Sequence, residues 1–323
     1  MHNYNYVIYH KHCPDGYAGY YLLTKTGLIS KSAIIYPDQP SASEIPPDIT
    51  DKTVIIIDVA YKMHILEGII TRAKSVIHID HHDTIRNDVM TLISKYSDKF
   101  ISIYNIKESG CSLVWKHFTE YLAGYNDRDD TMPKFIKYIK DNDTGTWKLT
   151  NTNPFMVSLD VHYRTDPTAE WLTKWDKLFD QREIKKMIHI GHFYLKYQHS
   201  IIEDNARRYT LEQFPSELIY NDNKAIFKKA GQYVVAVVNG SGCPSGTLIA
   251  KKILADVNCD FVIMWTLHME KKEYILSFRS KTVNVGEIAK FFGGGGHILA
   301  AACSIPVKKY HITDLFFAES LGR

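Results

Sequence analysis

The sequence predicts an α/β fold in two parts: an N-terminal domain on a parallel sheet, a long linker helix, and a smaller C-terminal α/β domain. Three observations carry this. Short apolar, β-branched runs recur in the first 82 residues with helix-length stretches between them, the pattern of buried parallel strands. A charged stretch from Asp180 to Phe214, with no glycine or proline after Gly191, reads as one long helix. Strand-like runs return from Leu218 onward. The expected boundaries are residues 1–185, 186–217 for the linker, and 218–323.

Taken in order, Tyr4 to Tyr9 is the first strand and runs into His10-Lys11-His12-Cys13-Pro14-Asp15-Gly16. Ser32 to Tyr36 is the second, closed by Pro37. Thr53 to Ile57 runs into Asp58, and Ser75 to Ile79 runs into Asp80-His81-His82-Asp83. Ser109 caps a helix whose Leu113, Val114, Phe118 and Leu122 recur at helical spacing. A second helix, Lys134 to Ile139, leads into Asp141-Asn142-Asp143-Thr144-Gly145. In the C-terminal part, 232–238, 261–265 and 273–278 are strands. Gly293-Gly294-Gly295-Gly296-His297 follows, and the alanine-rich stretch after it reads as a helix.

Composition narrows the function class. A chain of 323 residues can bury two cores, and 45% hydrophobic with 23% charged residues is ordinary for a soluble globular protein. No apolar stretch reaches the roughly 18 residues of a membrane span, and no secretory leader is evident. Five scattered cysteines argue for a reducing compartment, so the expected location is cytoplasmic. A net charge of +3 suits a small polyanionic substrate but not a protein that coats DNA.

In open parallel sheets, ligands gather outside the carboxyl ends of the strands. A two-metal site needs several carboxylates and imidazoles, one carboxylate bridging the ions. His10, Asp15, Asp58, His81 and Asp141 offer that set from four strand or helix ends. The bland alternative, unrelated polar loop residues, explains any one cluster but not all of them together. Because side chains alternate along a strand, His81 and His82 are expected to face different ways, one toward metal and one toward substrate. His78 is read as a core histidine and His12 as a bystander. The four glycines let main-chain amides converge on an anion, with His297 and Arg279 as partners; a flexible linker is the alternative. Ser109-Gly110-Cys111 is either a plain cap or a second phosphate seat. Cys243, Cys259 and Cys303 have no metal-ligand spacing.

On these residues the chain resembles the DHH phosphoesterase superfamily, named for the triplet Asp80-His81-His82. Val285 to Ala302 resembles the glycine-rich signature of its associated C-terminal domain, so the likeness covers nearly the whole chain. It implies a DHH catalytic domain followed by a glycine-rich substrate-binding domain. It also implies two divalent ions, manganese in most members. Members include nano-RNases, cyclic-dinucleotide phosphodiesterases, RecJ-type exonucleases, and pyrophosphatases and exopolyphosphatases with a different C-terminal domain. Carried over, His10 binds the first ion, Asp15 and His81 the second, and Asp58 bridges them. His82 faces the scissile phosphate and Asp80 orients the imidazoles. Asp141 or Asp143 stands beside His81, with Asp141 preferred. Cys13 departs from the family pattern, taking the place of the first aspartate of an Asp-x-Asp pair. As a ligand it favours zinc or iron(II); otherwise it only packs. Ser109, Gly110, Arg279, Gly293, Gly294, Gly295, Gly296 and His297 are the expected substrate contacts.

The expected activity is metal-dependent hydrolysis of a small nucleotide phosphodiester, a short single-stranded oligonucleotide or a cyclic dinucleotide, by metal-activated water. A RecJ-type exonuclease, an exopolyphosphatase or pyrophosphatase, and a degenerate nucleotide-binding protein without activity are the alternatives. No membrane partner is expected, and a homodimer is left open.

Overall fold

A computed structural model of the chain describes residues 3–122, 131–215, 217–220, 223–226, 233–242, 245–308 and 311–315. The chain forms two compact units, Met1–Leu195 and Lys196–Arg323.

The first unit opens with β1 (Tyr4–His10), α1 (Pro14–Thr24), β2 (Ile29–Asp38), β3 (Thr53–Ile57), α2 (Met63–Arg72) and β4 (Ser75–Asp80). It continues with α3 (Arg86–Lys95), β5 (Phe100–Tyr104), α4 (Gly110–Phe118), α5 (Lys134–Asp143), α6 (Thr152–His162) and α7 (Ala169–Trp175). Five parallel strands lie in the order β2-β1-β3-β4-β5. The apolar runs are continuous because both faces of this sheet are covered. Tyr4, Val7 and Tyr9 of β1 enter a core with α1 and α4, whereas Tyr6 and Ile8 enter another with α2 and α3. Burying each such side chain contributes about 1.5–3 kcal/mol over leaving it exposed. The strand order reverses between β1 and β3, so a crevice opens at their carboxyl ends, where His10 and Asp58 lie. Strand β5 lacks a long apolar run and was not anticipated from sequence; as an edge strand it buries fully only Phe100.

Helix α8 (Gln181–Ala206) follows. Its early Ile184 and Met187 belong to the first unit's core, and its late Ile202 and Ala206 to a core of the second. The helix expected over 180–214 stops at Ala206. Thr210–Phe214 is instead a strand, β6, paired antiparallel to β9 (Tyr233–Asn239). Five residues are too few to separate the two periodicities, and the fully buried Phe214 decides in favour of the sheet.

The second unit also holds β7 (Glu217–Tyr220), β8 (Asn223–Ile226), α9 (Gly246–Asp256), β10 (Phe261–His268), β11 (Glu273–Ser280), α10 (Val285–Phe291), β12 (Gly295–His297) and β13 (Ala300–Pro306). Its main sheet runs β12-β13-β11-β10-β9-β6, with only β9 and β10 parallel, across the α9 crossover. Ala300–Pro306 is therefore a strand and not the expected helix. Ala301, Cys303 and Ile305 alternate into the core, so pairing with β11 overrides alanine's helix propensity. Among the described residues no helix is long and apolar enough to cross a membrane.

Candidate metal centre

Four aspartates of the first unit, Asp15, Asp58, Asp80 and Asp141, are almost completely buried. Buried carboxylates without compensation are costly, so their partners define the site.

Asp58 follows the last residue of β3 and has φ 62°, a left-handed conformation that an L-residue adopts at some cost. Its amide donates to Ile79 O at 2.8 Å, which fixes the turn. Its Oδ2 is 3.4 Å from His10 Nδ1 and accepts from Cys13 Sγ at 3.3 Å; its Oδ1 is 3.3 Å from His81 Nε2. Burial pushes the Asp58 carboxyl up, but the imidazoles of His10 and His81 outweigh it and hold the group below its ordinary value.

Asp15, in the first turn of α1, accepts from Gly110 N at 2.5 Å and Cys111 N at 3.0 Å. The start of α4 is therefore occupied by the Asp15 carboxyl group and not by a substrate phosphate. Ser109 makes a capping box with Ser112 and is fully buried, the geometry of a plain cap. A Cβ at Gly110 would lie 2.7 Å from Asp58 Cβ and 2.9 Å from Asp15 Oδ2, so only glycine fits between the two carboxylates. Burial, then the charges of Asp58 and Asp143, push the Asp15 carboxyl up to about 8.

Asp80 closes β4. It accepts from His81 N at 2.6 Å, His82 N at 2.8 Å and His82 Nδ1 at 2.7 Å. The expected alternation of His81 and His82 does not occur. The strand ends at Asp80, and capture of both amides by one carboxylate lays the two rings side by side, 4.5 Å apart at 43°. Burial opposes ionisation of Asp80, but His78 and His82 keep it well below the usual carboxylate range. The bond to Asp80 raises His82. His78 is buried in the strand beside Ser102 Oγ at 3.2 Å.

His81 Nε2 lies 3.0 Å from Asp143 Oδ2 and 4.0 Å from Asp15 Oδ2. Although burial lowers its affinity for a proton, Asp143 and Asp58 lift it to about 11. The preference for Asp141 is corrected: Asp143 occupies the place beside His81. The Asp141 carboxylate is consumed by Thr146 Oγ1, Lys148 N, Leu149 N and Thr152 Oγ1, and so pins the loop after α5.

Among the described residues three donor sets result: His10, Cys13 and Asp58; Asp15, His81 and Asp143; and Asp58, His81 and His82, the donor atoms of each within 4.8 Å of one another. Asp58 is common to the first and third, and His81 joins it to the second. His10 Nδ1, Asp58 Oδ1, His81 Nε2 and Asp143 Oδ2 are buried yet lack a well-formed hydrogen bond. Converging, unsatisfied imidazole and carboxylate atoms fit divalent cations. Burial, then Asp58 and Asp15, push the Cys13 thiol up, so without a cation it is neutral. His12 is exposed and outside these sets. Sequence gave no signal for Glu108, buried against Ser112 Oγ, Lys116 and Lys140 beside the cap of α4.

In the second unit, β11, β13 and β12 place Arg279, Ala300 and His297 in one cross-strand row. Directly opposed residues share a face, so Arg279 and His297 do too. The guanidinium donates to Phe278 O at 2.8 Å and Thr247 Oγ1 at 3.2 Å. Two of the glycines serve close backbone approach: a Cβ at Gly294 would meet Ala302 O at 2.1 Å, and one at Gly296, whose φ is 141°, would meet Ala300 O at 2.6 Å. Gly293 has φ 82°, and Gly295 pairs with Ala302. No helix start lies at this run, so the dipole part of the anion-cradle reading falls away. Cys13, Cys111, Cys259 and Cys303 are free thiols; Cys243 lies outside the described residues.

No family model matches the sequence. The chain is 28% identical over 306 residues to an uncharacterised protein of Acanthamoeba polyphaga mimivirus, covering 90% of this chain and 65% of that protein. It thus spans less than two thirds of the length of that relative. Among solved structures it is similar to a pGpG-specific phosphodiesterase, PggH, from Vibrio cholerae, with a TM-score of 0.50 at 16% identity over 95% of this chain and 94% of that one. It is also similar to an exopolyphosphatase-related protein from Bacteroides fragilis, with a TM-score of 0.45 at 14% identity over 96% and 88%. The Vibrio protein shares the fold with this chain.

Proposed function

We propose that the protein is a metal-dependent phosphodiesterase of the DHH kind that hydrolyses a small nucleotide substrate, a short oligonucleotide or a cyclic dinucleotide. The observation that carries this reading is Asp58, a nearly fully buried carboxylate set between His10 and Cys13 on one side and His81 on the other. The fold shared with a pGpG-specific phosphodiesterase supports it.

Divalent cations, when bound, supply positive charge and Lewis acidity to the phosphodiester and its attacking water. In this reading, His10 and Asp58, with the Cys13 sulfur at hand, hold one cation, and Asp15, His81 and Asp143 hold the other. Asp80 fixes His82 through Nδ1, which leaves Nε2 to donate to a phosphate oxygen or to the leaving group. Because Asp80 raises His82, the imidazole holds its proton more readily near neutral pH. Manganese is the proposed metal, with zinc or iron(II) favoured if Cys13 coordinates. Arg279 and His297 are proposed to hold a second phosphate of the substrate, from the face they share in the second unit.

The test is a metal screen with bis-p-nitrophenyl phosphate, followed by a panel of dinucleotides, cyclic dinucleotides, longer single strands and polyphosphate. Manganese-dependent turnover of a dinucleotide supports the reading. A protein that binds nucleotides but turns over none of these substrates with any divalent metal is the degenerate binding protein instead.

A further inference from the structure

Next to the candidate centre the first unit carries a basic groove that the proposed chemistry does not use. A cavity of about 370 Å³ is lined by Lys107, Lys137, Lys140, Lys148, Thr144 and Met132, with Asp141 at its wall. A second of about 270 Å³ continues past Lys137 and Lys148 to Lys134. Lys140 is ion-paired to Glu108 at 2.7 Å. Among the described residues Lys107, Lys134, Lys137 and Lys148 form no ion pair. The Asp141 carboxylate at the wall is spent on four hydrogen bonds. Among the described residues the groove therefore has surplus positive charge. Lys140 precedes Asp143 by three residues on α5, so one helical turn separates this lysine from the His81–Asp143 pair.

Trp147 sits between the lining residues Thr146 and Lys148 and is 53% exposed. Its backbone has φ 51°, and its amide donates to Asp141 O at 3.4 Å. An indole left half open next in the chain to Lys148, on a loop pinned by a buried aspartate, adds a π-face for a base to the cations of the groove, the two elements of single-strand binding.

We propose that this lysine groove, with Trp147 as a stacking platform, seats a further nucleotide of a single-stranded substrate, so that the preferred substrate is an oligonucleotide longer than a dinucleotide. The proposal rests on the phosphodiesterase reading for its biological meaning, but binding tests it separately. The full chain, loaded with manganese, is titrated against fluorescein-labelled, phosphorothioate-linked di- and tetranucleotides, as DNA and as RNA. Wild type should bind the tetranucleotide about tenfold or more tighter than the dinucleotide. Lys137→Gln with Lys148→Gln should remove most of that difference and flatten the dependence of log Kd on log salt by about one. Trp147→Ala should weaken the tetranucleotide about fivefold or more. It should leave competition by tripolyphosphate, which has no base, unchanged.

Equal affinity of wild type for both lengths overturns the proposal, as does unaltered tetranucleotide binding in the lysine variant. Trp147→Ala that weakens tripolyphosphate as much as the tetranucleotide also overturns it, since no base would then be read. Should wild type cleave no phosphodiester, the activity reading fails while the length difference still decides the groove.

Discussion

His81 Nε2 stands 3.0 Å from Asp143 Oδ2, joining the end of strand β4 to the last turn of helix α5. In the same unit His81 also lies 3.3 Å from Asp58, so a proton or a cation at this nitrogen is shared by three chain segments. Removing the central carboxylate should disable the whole arrangement. Asp58→Ala should lower kcat by roughly 10³-fold or more. Bound metal, measured by atomic emission after dialysis, should fall toward zero while circular dichroism stays native. Normal turnover in this variant would sink the bridging assignment.

His82 should behave differently. Its Nδ1 is committed to Asp80 at 2.7 Å and lies farther, 3.8 Å, from Asp58. His82→Ala is expected to lower kcat by about 10²–10³-fold, the size of a lost acid or electrostatic donor, with metal content nearly unchanged. An emptied metal site in His82→Ala would move this residue from substrate to metal.

The parts of this centre that sequence made legible are those at strand ends. Asp58, Asp80, His81 and His82 end buried apolar runs, and a five-stranded parallel sheet delivers such ends to one edge. The choice between Asp141 and Asp143 was not legible, because both lie on α5 and only the loop that wraps Asp141, through Lys148 and Leu149, decides it. The strand at Ala300 was hidden for the opposite reason. Alanine favours helix locally, whereas its pairing partners, Phe278 to Arg279 and Gly296 to His297, are fixed only in three dimensions.

Without cations, stability should depend on pH in a definite direction. Asp15 is raised from 3.8 to about 8 and His81 from 6.5 to about 11. In both cases the folded state binds the proton more tightly than the unfolded chain. The Asp15 contribution is therefore complete below about pH 4 and is lost as pH rises through 8. That of His81 is complete below about 6.5 and is lost toward 11. The Tm of protein in EDTA should fall between pH 6 and pH 9. Manganese at about 100 times its Kd should restore roughly 2.7 kcal/mol. Its Tm gain at fixed concentration should be larger at pH 9 than at pH 6, because it competes with fewer protons. A Tm in EDTA that rises across this range would contradict the arrangement.

Cys13 tests the identity of the metal. Its sulfur is 3.3 Å from Asp58 Oδ2, in the set completed by His10. If it coordinates, Cys13→Asp should shift the preference from zinc or iron(II) toward manganese, a harder ion. Cys13→Ser should weaken zinc by about tenfold or more. Calorimetric titration with both metals measures this directly. Identical preference in wild type and Cys13→Asp would leave Cys13 a packing residue.

The last prediction concerns the second unit. His297 shares a cross-strand row with Arg279, on a hairpin arm where Gly294 and Gly296 leave no room for a Cβ. If this face holds a substrate phosphate remote from the bond that is cleaved, His297 contributes equally to ground and transition states, and losing it raises KM with little change in kcat. His297→Ala should therefore reduce kcat/KM on a dinucleotide about ten- to a hundredfold, the loss of a charge-assisted hydrogen bond of about 1.5–3 kcal/mol. A minimal diester such as bis-p-nitrophenyl phosphate has no second phosphate for His297 to hold, so its hydrolysis should be almost unaffected. Steady-state kinetics on the two substrates decides the matter. Equal losses on both would mean that the hairpin is structural, and that Gly294 and Gly296 serve only close backbone packing against β13.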